Sequence, residues 1–180
     1  MKKNILMVFG IGDTFCDINS PRCIKRGKTG PDLAKHIEKI VKSDKHDYDG
    51  YVFIHEPQDT INTTNVLSDV ESNKVIGIKL CSSSIFDINN EILIEDIDGD
   101  GSVVLNGDQL DHVLRPEDYN LFVAGIDING VFNTFVKEAS VLGYSVTIYS
   151  DIIKPFSKDT INNIITAVKD RNKDVVFRKS

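Results

Sequence analysis

The stretch LFVAGIDINGVFNTFVKEASVLGYSVTIYSD, residues 121–151, contains the signals that decide the fold. Residues 121–124 form a short apolar run closed by Gly125, which is typical of a buried strand ending in a tight turn. Residues 131–142 carry apolar side chains at helical spacing, namely Val131, Phe132, Phe135, Val136, Ala139 and Leu142. Gly143 follows where a helix C-cap favours a residue that tolerates a positive φ. The pattern predicts a strand, a loop and a helix in succession.

The next segment completes a strand–helix–strand unit. Residues 144–149, YSVTIY, alternate in polarity and are rich in β-branched and aromatic side chains, so they are predicted to form a strand. A crossover of this length favours parallel strands with a right-handed connection. Ligands of open α/β sheets bind at the carboxyl ends of the strands. The segment GIDING, residues 125–130, is therefore predicted to lie at the working edge of the sheet.

The rest of the chain carries signals for the same architecture. In chain order they predict a buried strand over residues 4–11, a loop over 12–26, a helix capped by Thr29, a strand over 51–55, a short strand or edge segment over 74–80, a strand over 91–97, a helical turn over 109–114, a helix capped by Ser157 and an edge strand over 174–177. We therefore expect an α/β fold, a Rossmann-like three-layer α/β/α arrangement with a mainly parallel sheet and helices on both faces.

Length, charge and cysteine content narrow the class of protein. With 180 residues the chain is long enough for a full core, and we expect residues 1–180 to form a single domain. A net charge of −6 argues against a general nucleic-acid binder or membrane-surface binder, because neither partner favours an acidic surface. No apolar run is long enough for a transmembrane helix, and we expect no cleavable signal in residues 1–11. The irregularly spaced Cys16, Cys23 and Cys81 are typical of reduced thiols, so we expect a cytoplasmic protein.

Four segments, taken in this order, resemble one known family. They are ILMVFGIGDTFC (5–16), TGPDLAKHI (29–37), YVFIHEP (51–57) and the block at residues 125–151. Their order and spacing resemble those of the isochorismatase-like cysteine hydrolases, which include the nicotinamidases. The first segment resembles the family's D-x-Q-x-D-F motif with Phe15 on its Phe, and the last resembles the G-x-x-T-D-x-C-V … G-Y-x-V … D block. The resemblance implies the same α/β fold and a homo-oligomer.

The three catalytic residues that the resemblance implies are all replaced in this chain. The family's nucleophilic cysteine stands at a helix N-terminus, where the dipole favours a thiolate, and the matching residue is Val131. The aspartate that acts as general base corresponds to Gly10 when Phe15 is the anchor. The lysine corresponds to the neighbourhood of Gly99, and residues 80–136 contain no lysine. We therefore predict that the cysteine-hydrolase mechanism has been lost.

Two functions from different classes are consistent with these replacements. The first is a degenerate isochorismatase-like protein that acts by binding a small ligand or by assembly, without a cofactor. Its vestigial pocket is predicted to contain Asp13, Phe15, His55, Asp127, Asn129 and Gly130, and a helix that starts at Gly130 suits an anion or a carboxylate. The alternative is a hydrolase of amide or vinyl-ether C–N or C–O bonds in a small metabolite. Its displaced catalytic groups would come from Asp13, Cys16, Cys23 and His55.

Two acidic segments partly match metal sites, although we favour a solvated loop in each case and expect no bound metal. His55 and Asp59 keep part of the D-x-H-x-x-x-H type cluster that the resemblance implies for nicotinamidases, but the first position of the cluster is apolar. Asp96, Asp98 and Asp100 match the first half of an EF-hand calcium loop. The position of the bidentate glutamate of that loop is a glycine, and the preceding EILIE favours a strand over the entering helix.

Overall fold

The computed structural model describes residues 1–25, 27, 29–43, 48–56, 75–95, 102–105, 110–126, 130–154, 162, 166 and 175–180. Within these ranges one sheet contains the strands β1 (Lys3–Phe9), β2 (Gly50–His55), β3 (Val75–Lys79), β4 (Glu91–Glu95), β5 (Ser102–Leu105), β6 (Tyr119–Ile126), β7 (Ser145–Lys154) and β8 (Val175–Arg178). The helices with described bounds are α1 (Asp13–Cys16), α2 (Pro21–Lys25), α3 (Gly30–Val41), α4 (Leu110–Val113) and α5 (Val131–Leu142).

The sheet is mainly parallel, as the sequence predicts. Its strand order is β5-β4-β3-β2-β1-β6-β7-β8, which places β1 at the centre. The six strands β3, β2, β1, β6, β7 and β8 run parallel, whereas β4 is antiparallel to β3 and β5 is antiparallel to β4. Helix α3 lies between β1 and β2 in the chain, and α5 lies between β6 and β7, as parallel neighbours require. The predicted α/β class is confirmed.

The central strand β1 is buried because its sequence is apolar almost throughout. From Ile5 to Phe9 every residue is buried, with β2 paired along one edge and β6 along the other. Phe9 lies on the face that α5 covers, with its ring centroid 5.9 Å from that of Phe132 and 5.4 Å from that of Phe135. These aromatic contacts hold α5 against the middle of the sheet.

The opposite face of the sheet carries an aromatic cluster. Tyr51 and Phe122 both pair in register with Leu6, which in the alternation of β1 points away from α5. Tyr48 packs against these two rings at centroid distances of 6.0 and 5.5 Å, and its hydroxyl oxygen is 2.5 Å from that of Tyr149. Burial, followed by this hydrogen bond, raises the pKa of Tyr48 well above its ordinary value. Helix α3 contacts β6 and β7, so both α3 and α5 pack against the sheet.

Two glycines delimit α5. Gly130 precedes the helix with a φ of 84° and Gly143 follows it with a φ of 89°, in the left-handed region that favours glycine. The amide of Tyr144 then donates to the carbonyl oxygen of Ala139 at 2.9 Å, which closes the helix end. The predicted helix over residues 131–142 and its C-cap are confirmed. The predicted cap of α3, Thr29, stands at the right position, but its side chain makes no capping hydrogen bond.

Some predicted boundaries are wrong. Residues 12–26 are predicted as a loop but contain α1 and α2, which form because Phe15 and Cys23 can be buried. The strand predicted to end in a turn at Gly125 continues to Ile126, since Gly125 pairs with Phe9 and β1 and β6 approach closely there. Strand β7 runs on to Lys154, beyond the predicted 144–149, and β5 is not predicted at all.

Several other predicted elements are confirmed. Strand β3 falls within the predicted 74–80, β4 within 91–97, α4 within the helical turn at 109–114, and β8 overlaps the predicted edge strand at 174–177. The helix predicted from Ser157 lies outside the described residues, apart from Asn162 and Thr166, which are helical. Among the helices that are described, none is long and apolar enough to cross a membrane.

Candidate functional site

The carboxyl ends of neighbouring parallel strands meet at one edge of the sheet. Gly10 follows β1 with a φ of 61°, and its amide donates to the carbonyl oxygen of Ile54 in β2 at 2.9 Å. His55 ends β2, and its carbonyl oxygen accepts a hydrogen bond of 3.0 Å from the amide of Leu80, just after β3. On the other side of β1, strand β6 leads into the N-terminus of α5. This edge is where an open α/β sheet binds its ligands.

The first turn of α5 stands where the resemblance implies a nucleophile. Val131 begins the helix and is 4% exposed, and Phe132 is 1% exposed. The ring of Phe132 meets that of Phe9 edge-on, at an interplanar angle of 88°. The position therefore holds a buried hydrocarbon side chain, and Gly10 at the end of β1 has no carboxylate to act as a base.

An ion pair that sequence reasoning misses lies beside His55. The guanidinium group of Arg22 in α2 pairs with the carboxylate of Glu56, whose side chain is 6% exposed, while that of Arg22 is 42% exposed. Arg22 also lies over the ring of Phe15, 5.8 Å from its centroid. The Nδ1 atom of His55 is 3.0 Å from the carbonyl oxygen of Glu56. A signal for Glu56 exists in the sequence, because an acid directly after a buried strand falls at the ligand edge.

The three cysteines do not supply an activated thiol in the place of Val131. Cys16 ends α1 and is half-buried, Cys23 is fully buried within α2, and Cys81 is exposed after β3. A thiolate is favoured at the N-terminal end of a helix, whereas Cys16 stands at the C-terminal end of a very short one. A thiol as buried as that of Cys23 is closed to a substrate.

The structure describes some of the other predicted site residues and leaves others outside its described part. The described ones, Gly10, Phe15, His55, Gly130 and Val131, belong to segments that end or begin at this edge of the sheet. Asp13 begins α1, but the direction of its side chain is not described. The remaining predicted residues lie outside the described part of the chain, namely Asp59, Asp96, Asp98, Gly99, Asp100, Asp127 and Asn129. Within the described part, no group of three or more His, Cys, Asp or Glu residues could hold a metal ion.

Comparison with known proteins identifies the fold. A scan against protein-family models gives no match, and a search of curated protein sequences gives none either. Among solved structures, the nicotinamidase from Staphylococcus aureus matches with a TM-score of 0.64 and 14% identity over 100% of both chains. An isochorismatase-like hydrolase from Alkaliphilus metalliredigens matches with a TM-score of 0.62 and 14% identity, over 98% of this chain and 94% of that one. PnC1 from L. infantum in complex with nicotinate matches with a TM-score of 0.63 and 17% identity, over 99% and 93% of the respective chains. The chain therefore has the fold of the isochorismatase-like hydrolases and nicotinamidases, as the sequence resemblance predicts.

Proposed function

We propose that this chain does not hydrolyse substrates through a cysteine nucleophile and acts instead by binding a small ligand or by assembly. The observation that carries the proposal is Val131, a buried hydrocarbon side chain in the first turn of α5. A cysteine hydrolase needs a thiolate at this point, because the sulfur atom forms the covalent intermediate. Removal of a catalytic nucleophile costs on the order of 10⁶ in kcat in a well-studied serine hydrolase, so no useful rate is expected.

The ligand we propose is a small anion or carboxylate. Support comes from the N-terminus of α5, a 12-residue helix that begins after Gly130. The free amides of a first turn and the positive end of the dipole favour negative charge. The Arg22 side chain lies at the same sheet edge and is 42% exposed, although Glu56 already neutralises part of its charge. We further propose a single domain over residues 1–180, a homo-oligomer and a cytoplasmic location.

Turnover and binding assays on the full chain test this proposal. Nicotinamide and isochorismate are supplied as substrates, with the Staphylococcus aureus nicotinamidase as the positive control for nicotinamide. We expect no release of product above buffer for either compound. Nicotinate, as a small carboxylate, is expected to shift the backbone amide resonances of Gly130 and Val131 in NMR spectra. Turnover that disappears in Cys16→Ala would refute the proposal, because a displaced thiol would then be active.

A hydrolase with displaced catalytic groups is the second candidate. The specific observation in its favour is Glu56, a buried carboxylate that directly follows His55 at the ligand edge. A carboxylate there could activate a water molecule as a general base, although it is already ion-paired with Arg22. This candidate predicts turnover that falls at least about a hundredfold in Glu56→Gln and persists in Cys16→Ala. Equal rates in Glu56→Gln and the parent chain would exclude Glu56 as the base.

A further inference from the structure

An open cavity lies on the side of the protein formed by the second half of α5. Its volume is about 380 Å³, and it is lined by Ser84, Phe86, Asp111, Lys137, Glu138, Val141 and Leu142, which we call the α5 patch. Phe86 supports the cavity, because its ring stacks on those of Phe135 and Tyr144 at centroid distances of 6.0 and 5.8 Å. The patch lies toward the C-terminal end of α5, whereas the candidate site described above lies at its N-terminus.

Large apolar side chains are exposed to solvent at or near this patch. Val141 is 86% exposed and Leu142 is 37% exposed, on the last turn of α5. Ile88, which is 50% exposed, lies on the same loop as Phe86 and Ser84. An apolar surface beside an open cavity is typical of a protein contact, since burying it there removes hydrocarbon from water.

The charged groups of the patch carry both signs. Lys137 is exposed, and Glu138 accepts a hydrogen bond of 2.6 Å at its Oε2 atom from the hydroxyl group of Ser84. Asp111, on α4, has one carboxylate oxygen, Oδ1, that is buried without a hydrogen-bond partner in the described structure. Within the described part of the chain, Lys137 forms no ion pair with either carboxylate. A surface with a cation and anions that do not pair with each other can be complementary to a copy of itself.

We propose that the α5 patch is a two-fold symmetric contact with a second copy of this chain, with Val141 near the axis and Lys137 of each copy facing Asp111 of the other. We place the two-fold axis perpendicular to α5, so that the two α5 helices run antiparallel. Lys137 lies about one helical turn before Val141, so it faces the region about one turn after Val141 of the second copy. That region contains Tyr144, which is close to Asp111. The charge of Asp111 is one reason why the pKa of Tyr144 is raised, after burial, which is the larger cause.

This contact deepens the assembly part of the proposed function and rests on it. Because the patch mixes apolar and charged groups, we expect a dimer that dissociates on dilution and not an obligate one. The contact is tested by molecular mass alone. Failure of the dimer test therefore leaves the turnover result intact, and activity in the turnover assay leaves the dimer result intact.

Sedimentation velocity of the full chain over about 1 µM to 1 mM measures the dimer dissociation constant. We expect Val141→Glu to raise it by about a hundredfold, because each dimer buries two Val141 side chains. Ile24→Glu is the matched control, since it replaces an exposed apolar side chain by the same charge on α2, outside the α5 patch, and it should change the constant by less than about threefold. A wild-type chain that stays monomeric at about 1 mM, or a dimer unaffected by Val141→Glu, overturns the proposal.

Charge reversal tests the pairing of Lys137 with Asp111. Lys137→Glu and Asp111→Lys are each expected to weaken self-association by about tenfold or more, because two like-charge contacts replace two attractive ones. An equimolar mixture of the two variants should restore dimer formation, since every contact then joins a lysine to an acid. Restoration also shows that both variants are folded. Weakened variants that do not complement each other in the mixture refute this pairing, and circular dichroism spectra show whether each variant has kept its fold.

Discussion

Gly125 allows a test of the fold, because the effect of its positive φ and the effect of its close contact with β1 can be separated by substitution. Its φ of 115° lies in the region that L-residues rarely adopt, and a Cβ atom there would lie 2.1 Å from the carbonyl oxygen of Phe9. The obstructing atoms belong to the backbone of the central strand and cannot move aside. Gly143 has a similar φ of 89°, but a Cβ atom there would meet nothing within 4 Å. Gly143→Ala therefore measures the backbone strain alone.

The expected magnitudes follow from this difference. Gly143→Ala should lower the free energy of unfolding by about 1 kcal/mol, since left-handed strain of 1–2 kcal/mol is partly offset by the smaller entropy of the unfolded chain. Gly125→Ala also carries positive-φ strain and adds a steric conflict between β1 and β6, so it should cost about 3 kcal/mol more than Gly143→Ala. For a chain of this size, we expect Gly125→Ala to lower the melting temperature by about 10 °C and Gly143→Ala to lower it by about 3 °C.

Urea unfolding followed by circular dichroism gives both free energies under the same conditions. Gly130→Ala is a second control, because its φ of 84° is also positive and a Cβ atom there meets nothing within 4 Å. It should resemble Gly143→Ala in stability. If Gly125→Ala were as stable as these two controls, the close approach of β6 to Phe9 would be wrong, and with it the register of the central strands.

Three further predictions concern the core and the response to pH. Phe135→Ala should lower the free energy of unfolding by about 3–5 kcal/mol, because the ring is fully buried against Phe9; a loss below about 1 kcal/mol in urea titrations would contradict the packing of α5. Tyr48→Phe should cost about 1–2 kcal/mol by removing the hydrogen bond to Tyr149, and it should also reduce alkaline unfolding. Burial raises the pKa of Tyr48 in the folded chain, so the contribution of Tyr48 to the free energy of unfolding is complete below pH 10.0 and is lost as the pH rises above that value. Identical alkaline melts for Tyr48→Phe and the parent chain would refute this. Burial of Asp151 opposes its ionisation, but hydrogen bonds from the amide and hydroxyl of Ser180 outweigh the effect of burial and lower the pKa of Asp151. Protection of β8 in hydrogen exchange should therefore fall below about pH 3.8, and the fall should be smaller in Asp151→Asn.

The sequence predicts the centre of the fold well, because local chemistry decides it there. Residues 131–142 carry apolar side chains at helical spacing and are followed by Gly143, and the observed helix has the same first and last residues as the predicted one. The apolar run at residues 4–11 can only be buried between two other strands, which is where β1 lies. Strands β3, β4 and β8 are also indicated by alternation and turn residues.

The sequence does not predict features that depend on contacts distant in the chain. Gly125 looks like a turn residue, and only the approach of Phe9 from β1 explains why it lies within a strand. The short helices α1 and α2 have too few residues for a periodic signal, and they form because Phe15 and Cys23 can be buried. The same limit applies to the candidate site. Arg22 and Glu56 are 34 positions apart, and nothing in the local sequence around either residue predicts that the fold brings them together as an ion pair.

The place of β1 in the sheet has a consequence for how the chain is made. Asn4 in β1 pairs with Asn120 in β6, 116 positions later, so a ribosome releases the first strand long before its second neighbour exists. At about 5–20 residues per second, that delay is roughly 6 to 23 s. Strand β2 can cover one edge of β1 early, but the other edge stays open throughout, as an apolar template for other nascent chains. The strand that has a neighbour on both edges in the finished protein therefore keeps one edge uncovered during synthesis until β6 has been made.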